Sequence, residues 1–339
     1  MTKNEKVEWC SGIRVITRES SIVFDPTSGG IEKEGTHRFI SHAHADHTQG
    51  FSAHGAKYAT ASTRIIYEGI HKRPVTDFKE VRANQPVRLD DVEVLPKNAG
   101  HMLGSVQFKI TTPNNTLAYT GDLNCVDTLT TDRAEAMECD VLLIEATYGN
   151  PSYVFPDRES TYAKIVEWAT QQVKNGSIPT FHVYAAGKAQ EIVKLFNVYT
   201  RLPIVVSSLV SAANKAYQRE GVRLRYEEAD KNSENHLLKN GPYVYVTTPF
   251  DRLASGRCAR AMATGWALRS VHNRFPVFPL SSHADFRQLV EFVKATGAKR
   301  VYVFTGFSDL FSSYLEKRFG IDARPIPLAA QRELVEFNH

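Results

Sequence analysis

The sequence predicts an α/β protein in which a segment of alternating helices and strands interrupts a strand-rich fold. Residues 1–145 contain short apolar runs separated by Gly, Asn, Asp and Pro. From residue 158 onward, helical spacing alternates with strand-like runs. After residue 275 the pattern of the first part returns. This order favours insertion of the middle segment into a two-layer fold over two consecutive domains.

The first part is expected to form seven strands and one helix. The predicted strands are "IRVIT", "SIVFD", "RFISH", "VEVLP", "SVQFKITT", "TLAYTG" and "VLLIEA", and the predicted helix is "TASTRIIYEGI".

The middle part is expected to form a small parallel α/β unit. Its strands are "IPTFHVY", "LPIVVS" and "GPYVYVTT". Two helices are indicated by apolar faces, which comprise Ile165, Ala169 and Val173, and Ala189, Ile192, Val193 and Phe196. The last part predicts an amphipathic helix from Phe286, the strand "RVYVFTG" and the helix "DLFSSYLEKRFG". The predicted domain parts are therefore 1–150, 151–270 and 271–339.

Composition indicates the size of the core and the cellular compartment of the protein. The chain has 339 residues, 42% of them hydrophobic, which is enough for a large core. The four cysteines form no CxxC pair, which favours a reducing compartment. We expect no membrane association, because the N-terminus lacks an apolar run and no stretch approaches the ~20 apolar residues of a membrane span. The predicted location is the cytoplasm.

Positive charge is concentrated in the middle of the chain. Residues 151–270 hold 16 Lys and Arg against 10 Asp and Glu, whereas the rest holds 25 against 27. This distribution is expected of a segment that faces a polyanion, and an ordinary solvated surface is the equal alternative.

The stretch "FISHAHADHTQG" contains an unusual density of metal-ligating side chains. His42, His44, Asp46 and His47 follow directly on a predicted strand, whose end can direct them toward one point. Imidazole nitrogens suit zinc, and an adjacent carboxylate suits a second, more oxygen-rich metal site. Two further candidates follow predicted strands, namely His101 in "NAGHMLGS" and Asp122 in "YTGDLN". The sequence therefore predicts a binuclear metal site.

The motifs "FDP", "HAHADH", "GH" and "TGD", in this order, resemble those of the metallo-β-lactamase superfamily. The resemblance implies a four-layer αββα fold with two Zn²⁺ ions at one sheet edge, Mn²⁺ being the alternative metal. It implies one metal held by His42, His44 and His101, and a second held by Asp46 and His47. Asp122 lies between the two, and Asp25 orients the ligand loop without touching metal.

The second half resembles the β-CASP branch of that superfamily, whose members are nucleases with an α/β domain inserted between their motifs A and B. Glu145 in "LLIEATYGN" matches motif A, and His283 in "LSSHADF" matches motif B. The resemblance implies that two metals activate a water molecule against a phosphodiester bond, with Asp46 taking part in catalysis. His283 would stabilise the leaving oxygen, and Glu145 would fix a ligand or His283 itself.

Four residues are candidates for substrate binding. Lys188, at a predicted helix start in "AAGKAQEIV", can hold a backbone phosphate, and Ser281 and Ser282 can donate to a terminal phosphate. A solvated lysine and helix-capping serines are equal alternatives. Arg257 in "ASGRCARAM" is the weakest candidate.

Thr305 departs from the pattern of the branch. RNA-processing members place a histidine after the strand that follows motif B, where this chain has Thr305 in "VYVFTGFSD". A hydroxyl is a poor zinc ligand, so we expect the second metal to bind more weakly. DNA-directed members also lack the histidine, and the last third of the chain resembles compact ligase-associated DNA exonucleases.

The function expected from these features is a DNA exonuclease of repair that acts from a 5′ end. Nucleic acid is the expected partner, with a DNA ligase or helicase as an associated protein. One alternative is a β-CASP ribonuclease or an archaeal or bacterial RNA 3′-end-processing factor. The other is a non-catalytic nucleic-acid-binding relative, which is disfavoured because every other ligand is retained.

Overall fold

The computed structural model describes residues 6–27, 35–229, 241–249, 257–269 and 274–328. Three sheets form its frame. The first sheet has the order β1-β2-β3-β4-β5-β6. Its strands are β1 (Lys6–Trp9), β2 (Ile13–Ile16), β3 (Ser21–Phe24), β4 (His37–Phe39), β5 (Lys57–Ala59) and β6 (Phe78–Glu80).

The second sheet has seven strands in the order β19-β18-β11-β10-β9-β8-β7. These are β7 (Val87–Leu89), β8 (Val92–Asn98), β9 (Val106–Thr111), β10 (Thr116–Tyr119), β11 (Val141–Ala146), β18 (Arg300–Gly306) and β19 (Asp322–Pro325). Strands β10, β11, β18 and β19 are parallel. The sheet therefore joins strands from both ends of the chain.

An aromatic core holds the first two sheets face to face. Phe24 of β3 lies 5.3 Å from Phe108 and 5.1 Å from Tyr119, measured between ring centroids. Phe39 of β4 meets Phe108 edge to face. Such tilted pairs contribute about 0.5–1.5 kcal/mol each beyond the area they bury. Strand β11 is buried throughout, because alternate residues face this core and the helices behind it.

Helices cover the outer faces of this pair of sheets. Helix α1 (Ala61–His71) packs Tyr67 against Ile40 and Ala59 of the first sheet. Helices α5 (Phe286–Thr296) and α6 (Ser308–Phe319) pack against Leu142 and Ile144 of the second sheet. The predicted four-layer αββα fold is confirmed.

The third sheet is built from the middle of the chain, and all its strands are parallel. Its order is β14-β13-β15-β12-β16-β17. Its strands are β12 (Ile178–His182), β13 (Ile204–Val206), β14 (Glu227–Glu228), β15 (Val244–Thr247), β16 (Cys258–Ala263) and β17 (Val277–Phe278), and its helices are α2 (Arg158–Lys174), α3 (Lys188–Tyr199) and α4 (Ser208–Arg219). The domain boundaries at residues 150 and 270 stay a prediction, and the second lies outside the described residues.

Several elements lie beyond those predicted from the sequence. Helix α4 and the short strands β1, β5, β6, β7, β14, β16, β17 and β19 were not anticipated. Many of these strands are only two to four residues long, too short for an alternating pattern to be recognised. None of the described helices combines the length and the apolar character needed to cross a bilayer.

Candidate metal centre

The predicted ligands meet where five strands end. The loop with His42, His44, Asp46 and His47 follows β4, and His101 follows β8. Asp122, Glu145 and Thr305 lie after or at the ends of β10, β11 and β18. Because β10, β11 and β18 are parallel, their carboxyl ends lie at one edge of the sheet.

Four ligand atoms form the first metal group, which comprises His42, His44, His101 and Asp122. His44 Nδ1 lies 3.2 Å from His42 Nε2 and 3.1 Å from His101 Nε2. Asp122 Oδ2 lies 3.4 Å from His42 Nε2 and 3.6 Å from His101 Nε2. Ligand atoms at the zinc bond length of about 2.0–2.1 Å, arranged as a tetrahedron, stand about 3.3–3.4 Å apart. The spacing therefore fits a tetrahedral ion.

The second nitrogen of each of these histidines is held by an oxygen. His42 Nδ1 donates to the Ser41 hydroxyl at 2.9 Å, and His101 Nδ1 donates to the Ser282 carbonyl at 2.8 Å. His44 Nε2 donates to the Ala186 carbonyl at 3.2 Å, which lies in the middle segment of the chain. Such contacts fix the tautomer and the ring orientation, and they leave the other nitrogen free to bind metal.

A second set of groups surrounds His47. Its Nε2 lies 3.5 Å from Asp122 Oδ1 and 3.7 Å from Asp46 Oδ2, so the two oxygens of Asp122 face different groups. Asp46 is 80% exposed, and it is the least enclosed of the predicted ligands. It belongs to none of the three compact ligand groups found among the described residues.

Asp25 holds in place the loop that carries the predicted ligands from His42 to His47. It accepts hydrogen bonds from the Ser41 N–H at 2.6 Å, from the Tyr119 hydroxyl at 2.7 Å and from His47 Nδ1 at 2.7 Å. With one nitrogen of His47 held by Asp25, the other points toward Asp122. Asp25 is also placed close enough to His42 and His47 to form a compact ligand group with them.

The charges of the centre favour a cation. Burial lowers the pKa of His44 to about 3 and that of His101 well below its usual value, so both rings are neutral as metal ligands must be. Although burial opposes the charged form of Asp122, the neighbouring His47 and His283 hold its pKa well below its usual range. Around His47, burial is outweighed by the charges of Asp122 and Asp25, which raise its pKa to about 10.

His283 and Glu145 form a pair beside the first metal group. His283 Nδ1 donates to Glu145 Oε1 at 2.9 Å, and His283 Nε2 lies 4.0 Å from Asp122 Oδ2. Glu145 is fully buried and also accepts from the Leu123 N–H at 2.7 Å. Despite burial, the charges of Glu145 and Asp122 raise the pKa of His283 to about 9.

A cleft of about 490 Å³ opens over these groups, and the residues that line it come from all parts of the chain. Lys188, Ser281, Ser282 and Thr305 are among them. The solvated alternative for Lys188 is wrong, because the side chain is buried and its ammonium donates to Glu191 at 3.3 Å. Burial lowers the pKa of Lys188 to about 8.

The two serines do not cap the helix that follows them. Asp285 caps α5 by accepting from the Gln288 N–H. The Ser281 hydroxyl instead accepts from the His283 N–H at 2.9 Å, and the Ser282 carbonyl holds His101. Both serines therefore shape the loop between His101 and His283.

The prediction that Arg257 binds substrate is wrong. It lies just before β16, and its carbonyl accepts from the Ile178 N–H at the start of β12. The cleft lies at the other end of these strands, where Ala263 and Thr264 line it. Six strand residues at about 3.3 Å each separate the two ends by about 20 Å. Arg257 is therefore not part of the site.

Comparisons with known proteins agree with this geometry. The chain is 27% identical to a probable DNA ligase of Opitutus terrae, in an alignment of 310 residues that covers 87% of this chain. It is 24% identical to an RNase J-like protein of Methanocaldococcus jannaschii, over 84% of this chain and 86% of that protein. It is also 24% identical to the RNase aCSPSF2 of Saccharolobus solfataricus, over 76% of this chain. The chain is therefore similar to proteins of the β-CASP branch of the metallo-β-lactamase superfamily.

Three further findings come from these comparisons. The chain spans only 29% of the length of the Opitutus protein. A crystal structure of a protein of unknown function from Enterococcus faecalis V583 superposes with a TM-score of 0.62 at 15% identity, over 88% of this chain and 93% of that one. That likeness supports the fold alone. No family model matches the chain.

Sequence reasoning missed a buried charge network of this chain. The Arg158 guanidinium pairs with Glu191 and donates to the Ser281 carbonyl at 3.0 Å. The Tyr162 hydroxyl also donates to Glu191, at 2.5 Å. The network therefore ties α2 and α3 of the middle segment to the loop that carries His283. A burial pattern could not reveal it, since arginine and glutamate normally indicate a solvated helix face.

Proposed function

We propose that this chain is a metal-dependent nuclease that hydrolyses phosphodiester bonds of nucleic acid. The observation that carries the proposal is the spacing of 3.1–3.6 Å between the ligand atoms of His42, His44, His101 and Asp122. That spacing fits the bond lengths of zinc, and a second set of groups lies on the other side of Asp122.

Zn²⁺ is the proposed metal, with Mn²⁺ as the alternative at the second position. His42, His44 and His101 would hold one ion, Asp46 and His47 the other, and Asp122 both. Bound metal ions would polarise the phosphodiester and lower the pKa of a water molecule toward 7. Asp46 contributes the most exposed ligand, and Thr305 supplies only a hydroxyl, so the second ion is proposed to bind more weakly.

His283 is proposed to act on the leaving oxygen of the substrate. Its Nδ1 is occupied by Glu145, which orients the ring and keeps it protonated near neutral pH. Its Nε2–H is then available to donate a hydrogen bond or a proton as negative charge develops on that oxygen. Glu145 is a positioning residue, because it is fully buried and contacts His283, which lines the cleft.

Lys188 is proposed to hold a backbone phosphate. It lines the cleft, and Glu191 is the only acceptor seen for its three N–H donors among the described residues. Arg158 and Lys188 together carry one more charge than Glu191 neutralises, so the buried network has a net positive charge at the cleft. An anion is the ligand that this excess favours. Ser281 and Ser282 remain candidates for a terminal phosphate.

DNA is the proposed substrate, degraded from a 5′ end during repair. Two relatives are named DNA ligases, the one from Opitutus terrae and one from Arabidopsis thaliana, and this chain corresponds to 29% and 21% of their lengths. A nuclease segment within such proteins would act beside ligation, which also makes a DNA ligase or helicase the proposed partner. Residues 151–270 are proposed as an inserted domain that faces the nucleic acid, in a cytoplasmic protein.

A ribonuclease is the second candidate. The RNase J-like protein of Methanocaldococcus jannaschii matches this chain over 86% of its own length, far more than the ligases do. Whether the chain prefers a substrate with deoxyribose or with ribose separates the two candidates.

The test uses purified protein with zinc or manganese and matched single-stranded DNA and RNA oligonucleotides, labelled at either end, with and without a 5′-phosphate. Stepwise loss of DNA from the 5′ end, with RNA spared, is the expected result. Preferential RNA cleavage would select the ribonuclease. Absence of cleavage under all conditions, with retained binding, would select the non-catalytic alternative. His283→Ala and Asp46→Ala should abolish cleavage, whereas Arg257→Ala should not change it.

A further inference from the structure

Two strongly exposed aromatic side chains line the cleft. Tyr184 follows β12 and is 76% exposed, and Trp266 lies in the 3-10 helix Gly265–Arg269 and is 46% exposed. Exposed large apolar side chains are ordinary when they are scattered over a surface. Here both belong to the lining of one cleft, which also contains the metal ligands.

The two residues are the ends of a continuous row of ring contacts. Tyr184 contacts His44, which contacts His101, with centroid distances of 5.9 and 4.9 Å. His101 contacts His283 at 4.5 Å. The row continues from His283 to Tyr148 at 5.9 Å and from Tyr148 to Trp266 at 4.9 Å. The metal group and His283 therefore lie between the two exposed rings.

The support beneath Trp266 is rigid. Its indole packs on Tyr148 and, edge to face at 5.4 Å, on Tyr153, and both tyrosines are buried. Gly265 permits this packing, because a Cβ atom there would lie 2.5 Å from the Tyr148 ring and 2.7 Å from Phe155. A ring that is fixed in place loses little entropy when a ligand stacks on it.

We propose that Tyr184 and Trp266 each stack against a nucleobase, on opposite sides of the phosphodiester that the metal centre binds. The substrate class is single-stranded nucleic acid, because a base must leave its pairing partner to lie flat on a side-chain ring. Stacking accepts any base, so the two residues select strandedness and not sequence. This inference rests on the proposed nuclease function.

Binding is tested with the zinc-loaded full chain carrying Asp46→Ala, which removes a proposed catalytic ligand that lies outside the ring row. The probe is a labelled oligothymidylate, compared with versions in which one nucleotide at a time is abasic. An abasic nucleotide keeps the charge and the phosphodiester but offers no base to stack. We expect about 10-fold weaker binding at particular positions, in keeping with the value of one stacked base.

Variants of the protein test the same stacking contacts by removing the ring instead of the base. Trp266→Ala and Tyr184→Ala should each weaken binding of the intact oligonucleotide about 10-fold and become insensitive to the abasic position that their ring contacts. Trp266→Phe and Tyr184→Phe should bind within about 3-fold of the parent, because they keep a ring. Phe319→Ala is the control, since Phe319 is also exposed, at 41%, but packs on Tyr314 away from the cleft.

Equal affinity for intact and abasic probes at every position would overturn the stacking proposal, and this comparison needs no altered ring. Tighter binding of duplex than of single strand would overturn it as well. The nuclease proposal is judged separately, by hydrolysis with the unaltered chain. If affinity falls at particular abasic positions but the unaltered chain does not hydrolyse nucleic acid, stacking is supported and the nuclease proposal is refuted. If the chain hydrolyses nucleic acid but binds every abasic probe as tightly as the intact one, the nuclease proposal is supported and stacking is refuted.

Discussion

Glu145 Oε1 and His283 Nδ1 lie 2.9 Å apart, although 138 residues separate them in sequence. Glu145 is the last but one residue of β11, and His283 lies in the loop that leads into α5. Between them in sequence runs the whole third sheet. The contact therefore closes the site only after both ends of the αββα fold have assembled.

The first prediction concerns this pair. Glu145→Gln should lower kcat about 100-fold while leaving the metal content unchanged, because it removes the charge that keeps His283 oriented and protonated. Steady-state kinetics and elemental analysis of the same sample provide the measurement. Glu138→Gln, at an exposed position outside the cleft, is the control. A fall in metal content instead of kcat would show that Glu145 acts through the metal ligands.

The second prediction concerns the first metal group. His101→Ala should reduce bound zinc by about one ion per chain and abolish hydrolysis, since His101 is one of the four groups proposed to hold that ion. Zinc is measured by elemental analysis after dialysis against a weak chelator. His37→Ala should leave the zinc content unchanged, because His37 contacts Tyr58 and not the ligand group. Equal zinc in both variants would contradict the assignment.

Thr305 provides the third prediction. It lies beside Glu145 in the register of β11 and β18, and it faces the cleft. Thr305→His should add a ligand and raise the retention of the second metal ion about 10-fold or more. Competition with a chelator dye measures this affinity. Thr305→Val removes the hydroxyl without adding a ligand, so it should not increase retention, and an increase there would refute the coordination argument.

The fourth prediction concerns the buried pair of Arg158 and Glu191. Although burial opposes its charged form, the charges of Arg158 and Lys188 lower the pKa of Glu191 to about 2. Glu191→Gln leaves the two cations without their counter-charge and should reduce the free energy of unfolding by about 3–5 kcal/mol. Denaturant titration measures the change. Glu291→Gln, in an exposed pair with Lys294, should change it by no more than about 0.5 kcal/mol.

The stabilisation that the Glu191 carboxylate contributes depends on pH. Its folded pKa is below its unfolded value, so the stabilisation is complete above about pH 4.5 and is lost as the pH falls toward 2. The stability difference between the unaltered chain and Glu191→Gln should therefore shrink with acidification in this window. A difference that stays constant from pH 6 to the acid limit would show that Glu191 is not ionised.

The fifth prediction concerns Gly306, which ends β18. Its φ is +73°, and a Cβ atom there would lie 2.0 Å from the Ala146 carbonyl oxygen. Gly306→Ala should destabilise the protein by more than about 3 kcal/mol, because backbone strain and a backbone clash act together. Gly297→Ala isolates the strain, since φ is +63° and nothing lies within 4 Å of its Cβ position. Gly297→Ala should lower the free energy of unfolding by about 1 kcal/mol. An equal loss in the two variants would show that the clash at residue 306 contributes nothing.

The sequence alone predicted the layout of the protein and the residues proposed as its metal ligands. The seven strands and the helix predicted in the first part all form, because their apolar patterns are long enough to be read locally. His42, His44, His101 and Asp122 could be named in advance, since ligand chemistry restricts the residue types and their motifs recur in order. The resemblance to the metallo-β-lactamase superfamily depended on these same residues, and that to its β-CASP branch on Glu145 and His283.

Only the tertiary structure decided which other residues reach the cleft. Arg257 and Lys188 were both basic residues of the middle segment, but strand direction puts Arg257 at the far end of β16 and Lys188 at the cleft. The network of Arg158 and Glu191 and the row of rings from Tyr184 to Trp266 join residues that are distant in sequence. Local patterns record which face of an element is buried, whereas contacts of this kind depend on how the elements pack, and that is fixed only when the sheets assemble.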